Sequence, residues 1–139
     1  MKNIFLDTNV LIDFLANREP FAIHAAIIFD QAEKGNVNLY VSAISFNNIY
    51  YILRRVCSHK KTIDLIKTLN ELVDVVALDQ KIIDEALAAN FKDFEDAIQD
   101  SCVMKIKKLD ALVTRNAKDF KNSTLPILSP KAAAAILIA

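Results

Sequence analysis

Short, mostly apolar runs alternate with segments of helical periodicity along the whole chain. The runs have the length of buried strands and lie at residues 4–6, 39–41, 73–78, 112–114 and 125–128. Apolar residues at helical spacing indicate helices at 10–15, 20–36, 42–56, 62–72, 80–89 and 94–107, and a last helix that opens at Ser129 and Pro130. This alternation predicts one domain, residues 1–139, built as a three-layer α/β/α sandwich around a mostly parallel sheet.

The composition excludes several other classes of protein. The single glycine, Gly35, cannot form the Gly-rich loop of a P-loop or a dinucleotide-binding motif. Hydrophobic residues make up 53% of the chain, which is enough for a core without disulfides or zinc. Lys plus Arg equals Asp plus Glu at 17 each, so nucleic-acid binding would need a local basic patch. With no signal-peptide pattern and no apolar run of membrane-spanning length, we expect a cytoplasmic protein without a membrane partner.

Polar side chains collect near the carboxyl ends of the predicted strands, where α/β sheets bind their ligands. In chain order they are Asp7, Asn47, Asn48, Asp93, Glu95, Asp96, Asp100, Asn116 and Asp119. Clustered carboxylates repel one another unless a cation lies among them. A set of oxygen ligands without His or Cys suits Mg²⁺ or Mn²⁺. Such a site is suited to the hydrolysis of phosphodiester bonds.

Each of these residues also has a simpler explanation. Asp7 and Asp93 fit helix N-caps, and Asp96 fits the reciprocal position of a capping box that begins at Asp93. Asn116 and Asp119 fit an ordinary turn. Composition and spacing therefore leave both a metal site and a set of helix caps open.

Four segments together resemble the PIN domains, and more closely the bacterial VapC-like branch of that family. They are 5–13 (FLDTNVLID), 41–49 (VSAISFNNI), 93–100 (DFEDAIQD) and 113–120 (VTRNAKDF). The segments lie in the order of the family and span nearly the whole chain. The resemblance implies a Mg²⁺- or Mn²⁺-dependent endoribonuclease that acts on RNA, often as the toxin of a toxin–antitoxin pair with an antitoxin protein as its partner.

The resemblance also implies roles for individual residues. Asp7 and Asp96 would bind the metal directly, and these two together with Asn116 and Asp119 would be the catalytic residues. Asn116 and Asp119 would complete the site, directly or through water. The residues that would hold these groups in place by hydrogen bonds are Thr8, Asn9, Asp93 and Thr114.

The second segment departs from the common family pattern at Asn48, where most active members carry a glutamate. An amide still offers an oxygen to a metal, but it brings no charge and cannot act as a base, so metal affinity should fall. Asp100 or Asp93 could supply the missing charge. Two functions stay open: an active ribonuclease, or a catalytically weakened module that binds RNA or protein. A phosphatase fits less well, because Asn9 stands where its second acid is expected.

Basic residues near these segments are candidate RNA contacts, which would be sensitive to salt and would carry no sequence information. They are Arg54, Arg55, His59, Lys60, Lys61, Arg115, Lys118 and Lys121, and another basic cluster consists of Lys105, Lys107 and Lys108. The alternative for each is a solvated cation, favoured at the carboxyl end of a helix. The aromatic-rich third helix and the apolar tail at 132–139 make a homodimer contact the expected use of those surfaces.

Overall fold

Five strands form one central sheet. The computed structural model describes all of residues 1–139. The strands are β1 (Asn3–Leu6), β2 (Asn38–Ser42), β3 (Asp74–Val76), β4 (Ala111–Val113) and β5 (Ile127–Leu128), in the spatial order β3-β2-β1-β4-β5. Every neighbouring pair is parallel. The predicted α/β class is confirmed, and the sheet is parallel throughout.

Seven helices connect and cover these strands. They are α1 (Thr8–Leu15), α2 (Ala22–Glu33), α3 (Ala43–Leu53), α4 (His59–Leu72), α5 (Gln80–Ala88), α6 (Phe94–Val103) and α7 (Pro130–Leu137), and a 3-10 turn lies at Ala117–Phe120. The side chains that cap α3, α4, α5, α6 and α7 are Ser42, Ser58, Asp79, Asp93 and Ser129. No helix has both the length and the apolar character needed to cross a membrane.

Alternate residues of the strands face opposite layers of helices. Ile4 and Leu6 belong to a core of 19 buried residues shared with α1, α2, α3, α4 and α7, whereas Phe5 belongs to a core of nine shared with α5, α6 and the 3-10 turn. This alternation follows from the two-residue period of a strand, and it makes β1 apolar on both faces. The sheet is therefore the middle layer of three, between two layers of unequal size.

Some element boundaries differ from those that the sequence predicts. α6 ends at Val103 rather than 107, because the chain then turns through Lys108, which has a φ of 60°, before it enters β4. α2 begins at Ala22, so that Pro20 lies in the turn before the helix and not in its first turn. Gly35, with a φ of 79°, follows α2 and ends it in the way the sequence indicates.

The strand order places a switch point beside β1. From β1 the chain first adds β2 and β3 on one side, and it later adds β4 and β5 on the other. Ligands of open parallel sheets bind in the crevice beyond the carboxyl ends of the strands at such a point. Asp7 directly follows β1 and Thr114 directly follows β4, so both residues lie at that crevice.

Candidate metal centre

Asp7 is held at the end of β1 by two hydrogen bonds from distant elements. It occupies the N-cap position of α1 and is only 6% exposed, but its side chain does not cap that helix. Instead, Gln99 Nε2 donates to Asp7 Oδ1 at 2.9 Å, and Thr114 Oγ1 donates to Asp7 Oδ2 at 2.7 Å. Helix capping therefore does not account for Asp7, and the two bonds fix the orientation of its carboxylate.

Asp96 lies among four other acids. Burial, together with the negative charges of Asp7, Asp93, Asp119 and Glu95, raises the pKa of Asp96 to about 7. These residues come from the end of β1, the first turn of α6 and the 3-10 turn. Carboxylates that act on one another in this way are destabilising until a proton or a cation neutralises them.

The first turn of α6 shows which of its acids are used as caps. Asp93 is the N-cap of α6, and its Oδ1 accepts a hydrogen bond from the Asp96 backbone N–H at 3.0 Å. Asp96 returns no side-chain bond to the Asp93 amide, so no capping box forms. The capping explanation thus holds for Asp93 and leaves Asp96 without a structural partner.

A chain of hydroxyl groups joins Glu95 to the start of α3. Thr8 Oγ1 donates to Glu95 Oε2 at 2.6 Å and lies 2.7 Å from Ser45 Oγ. Because Thr8 has one hydroxyl proton and gives it to the carboxylate, Ser45 is the donor to Thr8. Glu95 was expected among the clustered acids but without a role of its own, and Ser45 was not expected at the site. The available signals were that Glu95 adjoins Asp96 and that Ser45 precedes Asn48 by one helical turn.

Gln99 is a further residue that the sequence analysis missed. It is fully buried, and while its Nε2 binds Asp7, its Oε1 has no hydrogen-bond partner. A buried acceptor without a donor costs about 1–3 kcal/mol. This unpaired oxygen belongs to the same amide whose Nε2 donates to Asp7. Its only sequence signal was its position one turn after Asp96.

A polar cavity of about 540 Å³ opens beside Asp96. Three aspartates and three lysines lie in its wall, namely Asp93, Asp96, Asp119, Lys92, Lys118 and Lys121. Asp7 is nearly buried and is not part of the wall. The volume is within the range of small-molecule sites in proteins, and the mixture of acids and lysines suits a phosphate group bound next to a cation.

The donor atoms suit a hard cation by their chemistry, but they are not gathered into a finished ligand cage. No group of three His, Cys, Asp or Glu side chains is arranged so that it could hold a metal ion. Asp7 and Asp119 nevertheless act electrostatically on Asp96, and Gln99 Oε1 lacks a partner beside them. The oxygen-only set suits Mg²⁺ or Mn²⁺ by the chemistry of its donor atoms and not by their present arrangement.

Comparison with known proteins identifies the family of this chain. A family model described as a PIN domain, PIN_3, matches residues 3–118. The chain belongs to the PIN domain family. It is 23% identical over 133 residues to the ribonuclease VapC1 of Aquifex aeolicus, and the match covers 92% of this chain and 90% of that protein. The resemblance to PIN domains and to their VapC-like branch is thus confirmed.

Solved structures share the fold of this PIN domain. VapBC-1 from nontypeable Haemophilus influenzae matches with a TM-score of 0.66 and 19% identity, covering 92% of this chain and 98% of that chain. DNA-bound VapBC from Salmonella typhimurium matches with a TM-score of 0.65 and 14% identity, covering 94% and 99%. At these identities the likeness concerns the fold.

The remaining candidate ligands occupy different surroundings. Asn48 is half-buried on α3 and makes no side-chain hydrogen bond, and Asn116 is exposed, with its backbone N–H donating to Thr114 Oγ1 at 3.0 Å. Asp100 lies beside Ser123: burial raises the pKa of Asp100, and the Ser123 hydroxyl lowers it in part. The backbone of Asn116 is therefore linked to Asp7 through Thr114, and the charges of the acids around Asp96 do not contribute to the raised pKa of Asp100.

Asn9 and Thr8 do not contact Asp7 or Asp96 through their side chains. Asn9 Oδ1 is buried without a partner, and Thr8 binds Glu95 and Ser45 as described. Of the residues predicted to hold the carboxylates, Thr114 is the one that touches Asp7. The hydroxyl of Thr114 also accepts from the turn that follows β4, so it connects Asp7 to that turn.

Two of the three arginines predicted to contact RNA, Arg54 and Arg115, make contacts within the protein. Arg115 donates from Nε to Asp13 Oδ2 at 2.7 Å and from Nη2 to Asp13 Oδ1 at 3.3 Å, and its Cζ lies 3.9 Å from the centre of the Phe21 ring. Arg54 and Arg55 follow α3, which runs back from β2 for 11 residues, and this corresponds to about 16 Å of helix. Arg54 Nη1 donates to the Cys57 carbonyl at 2.7 Å. Lys118, by contrast, lies in the cavity wall.

The metal-free PIN domain should lose stability as the pH rises from about 4 to about 7. The pKa of Asp96 rises from an ordinary 3.8 to about 7 on folding, so in this window the folded protein keeps a proton that the unfolded chain releases. The contribution of Asp96 to the free energy of unfolding is fully present below its unfolded pKa of 3.8, and it is lost as the pH rises through its folded pKa of about 7. Urea unfolding at both ends of the window measures it.

The matched comparison is Asp96→Asn, which should flatten this dependence. Asp100 also has a raised pKa and contributes with the same sign in both proteins. The difference between wild type and variant therefore isolates Asp96. Identical pH profiles for the two proteins would contradict the raised pKa.

Proposed function

We propose that this PIN domain is a cytoplasmic endoribonuclease that uses Mg²⁺ or Mn²⁺ to hydrolyse RNA phosphodiester bonds. The observation that carries the proposal is the position of Asp96, which lies among four acids at the carboxyl ends of β1 and β4 and in the wall of a cavity that lysines share. Similarity to the ribonuclease VapC1 supports the same class of reaction.

In this proposal Asp7, Asp96 and Asp119 hold the metal, with the amide oxygens of Asn116 and Asn48 as neutral donors. A bound divalent cation supplies an activated water and neutralises charge on the phosphoryl group. The other requirements are met by the chain itself. Two hydrogen bonds hold the Asp7 carboxylate, and the cap at the start of α6 fixes the turn from which Asp96 reaches the cavity.

The lysines of the cavity wall are the proposed contacts for the RNA backbone. Lys118 and Lys121 flank Asp119 on the turn after β4, and Lys92 lies across the cavity before α6. A phosphate bound by these lysines would lie next to the acids, and the positive charges of the lysines would offset its repulsion by the carboxylates. This arrangement would bind RNA of many sequences, because phosphate contacts carry no base information.

Changing Lys118 and Lys121 together to glutamine should weaken RNA binding and make it less sensitive to salt. Each lost phosphate contact should reduce the slope of log affinity against log salt concentration by about 0.7 for single-stranded RNA. Fluorescence anisotropy with a labelled oligonucleotide at several salt concentrations measures both effects.

The control carries the same change of charge on the other side of the sheet, with Lys67 of α4 and Lys131 of α7 changed to glutamine. Both side chains are exposed and lie outside the cavity. An equal loss of affinity in the two double variants would mean that binding follows net charge and not the cavity.

A cleavage assay tests the proposed reaction. Purified protein is incubated with structured and single-stranded RNA in Mg²⁺, in Mn²⁺ and with EDTA, and the ends of the products are mapped. Metal-dependent cuts at internal positions are the expected result. A weakened binding module is the second candidate, favoured by Asn48 and by the absence of a finished ligand cage. RNA that is bound but not cut in either metal would support that candidate.

We also propose that the protein is the toxin of a toxin–antitoxin pair. The structures that share its fold include VapBC assemblies. Its surface carries apolar side chains suited to protein contacts, with Tyr51 63% exposed on α3 and Ile138 59% exposed after α7. Such surfaces suit either a homodimer or an antitoxin. Light scattering of the isolated protein shows whether it forms a homodimer. Cell growth after induction, with and without the neighbouring gene, shows whether that gene encodes an antitoxin.

A further inference from the structure

We propose that Phe91 forms a nucleobase-binding subsite in the wall of the cavity, where one unpaired base of the RNA stacks on its ring. The inference rests on the proposed function and deepens it, because it adds a contact to a base where the lysines would contact only phosphates. The sequence analysis assigned no role to Phe91.

The first step is the composition of the cavity wall. Phe91 is the single hydrophobic residue in it, and the others are acids, lysines and asparagines. A cavity that took only a phosphate and a cation would gain nothing from an aromatic ring. An aromatic ring beside lysines is a combination with which proteins bind single-stranded nucleic acids, since the ring stacks on a base while the cations follow the backbone.

The second step is the way in which the Phe91 ring is held. Its centre lies 6.2 Å from that of the fully buried Phe120, and the two ring planes are inclined by 60°. The adjoining Asn90 carbonyl accepts a hydrogen bond from Asn122 Nδ2 at 2.8 Å. At this inclination the rings do not stack face to face, so Phe120 anchors Phe91 without a parallel stack over its face. Phe91 also remains partly exposed.

The third step is the size of the cavity. Its volume of about 540 Å³ is that of a site for one small molecule, such as a single nucleotide, and not for a duplex. A base in a duplex is covered on both faces by its neighbours, so stacking on Phe91 requires a base that has left the stack. The subsite should therefore select unpaired nucleotides.

The fourth step is the presence of free amide groups in the same wall. The side chain of Asn90 makes no hydrogen bond, and Asn122 uses only its Nδ2. Both residues are exposed and line the cavity with Phe91. Amide groups both donate to and accept from the edges of bases. The subsite can thus contribute a base preference, which phosphate contacts cannot.

Binding measurements without metal test the inference apart from catalysis. A short single-stranded RNA and the same sugar–phosphate backbone without its bases are compared by fluorescence anisotropy in EDTA. Both carry the same phosphates, so the difference in affinity reports on the bases. We expect wild type to bind the backbone without bases at least about fivefold more weakly, which is the lower limit for one aromatic–base stack.

Changing Phe91 to leucine should reduce this difference. Leucine keeps an apolar side chain against Phe120 but has no ring on which a base can stack. We expect Phe91→Leu to bind the RNA about fivefold or more weakly than wild type, and to bind the backbone without bases as wild type does. The control is Phe94→Leu, the same change at a residue that is 48% exposed and lies outside the cavity wall. It should bind both molecules like wild type.

Phe91→Trp gives a second measurement that does not depend on a loss of packing. The chain has no tryptophan, so the tryptophan emission of this variant comes from the subsite alone. Stacking on a base should quench that emission, and the backbone without bases should leave it unchanged. Phe94→Trp, the matched control, should respond to neither molecule.

The outcomes separate this inference from the proposed function. If wild type binds the RNA and the backbone without bases equally, or if Phe94→Leu loses as much affinity as Phe91→Leu, Phe91 is not the base-binding residue, and the proposed cleavage still stands. Emission of Phe91→Trp that the RNA does not quench also overturns the inference. If wild type binds neither molecule, the inference and the proposed function fall together.

Discussion

Replacing Asp96 with asparagine should abolish divalent-metal binding and RNA cleavage while the protein remains folded. Asp96 is the residue on which the other four acids act, and it lies in the cavity wall. Asparagine has nearly the same shape but brings no charge, so the donor set loses an anionic ligand. Because changes in residues that merely support ligands cost about 10- to 100-fold, we expect a loss of at least that size in both affinity and cleavage rate.

The control for this substitution is Asp100→Asn, the same change one turn later in α6. Burial raises the pKa of Asp100 without a contribution from the acids around Asp96, so we expect metal affinity and cleavage to persist. Urea unfolding of both variants should show an intact fold, and Asp96→Asn should be at least as stable as wild type at neutral pH. Undiminished cleavage by Asp96→Asn would remove the proposed chemistry.

Replacing Asp13 with alanine should destabilise the protein by about 3 kcal/mol, because removal of one partner from a buried ion pair leaves the others uncompensated. The Asp13 side chain is 1% exposed and binds two guanidinium groups, Arg18 at 2.9 Å and Arg115 at 2.7 Å. Arg115 also packs on Phe21. The free energy of unfolding in urea measures the loss.

The matched control is Asp30→Ala, which removes an exposed partner from the helical ion pair with Lys34. Such a pair contributes about 0.3–0.5 kcal/mol. Asp13→Ala should also loosen the turn that follows β4, since Arg115 belongs to it, and so lower RNA cleavage at temperatures where the protein is still folded. Equal losses of unfolding free energy in the two variants would show that the buried ion pair of Asp13 contributes no more to stability than the exposed pair of Asp30.

The sequence was sufficient to predict the strands, most of the helices and some of the residues of the candidate site. Strand-length apolar runs and capping residues located the sheet and most helices, and Asp7 could be placed because it ends a buried strand. The spatial order of the strands was not predictable from these runs. Nor was the end of α6, which depends on a positive φ at Lys108 rather than on apolar spacing.

The contacts that the sequence missed join residues far apart in the chain. Arg115 was predicted to contact RNA because it is basic and close to the site, and its pairing with Asp13 could not be seen across the intervening chain. In α6, Gln99 and Asp100 both lie about one turn from Asp96, at about −60° and +40° around the helix axis. Spacing alone could not decide which of them faces Asp7, and the structure shows that it is Gln99.

The two faces of the sheet are unequal, with 19 residues in one core and nine in the other. Glu95, Asp96 and Gln99 all belong to α6, on the side with the smaller core. That side has less apolar area to oppose local opening, so the layer formed by α5, α6 and the 3-10 turn should open at a lower free energy than the opposite layer. Under the proposed function, such opening would remove Asp96 from the site while the opposite layer stays folded, and a ligand bound to α6 would oppose it.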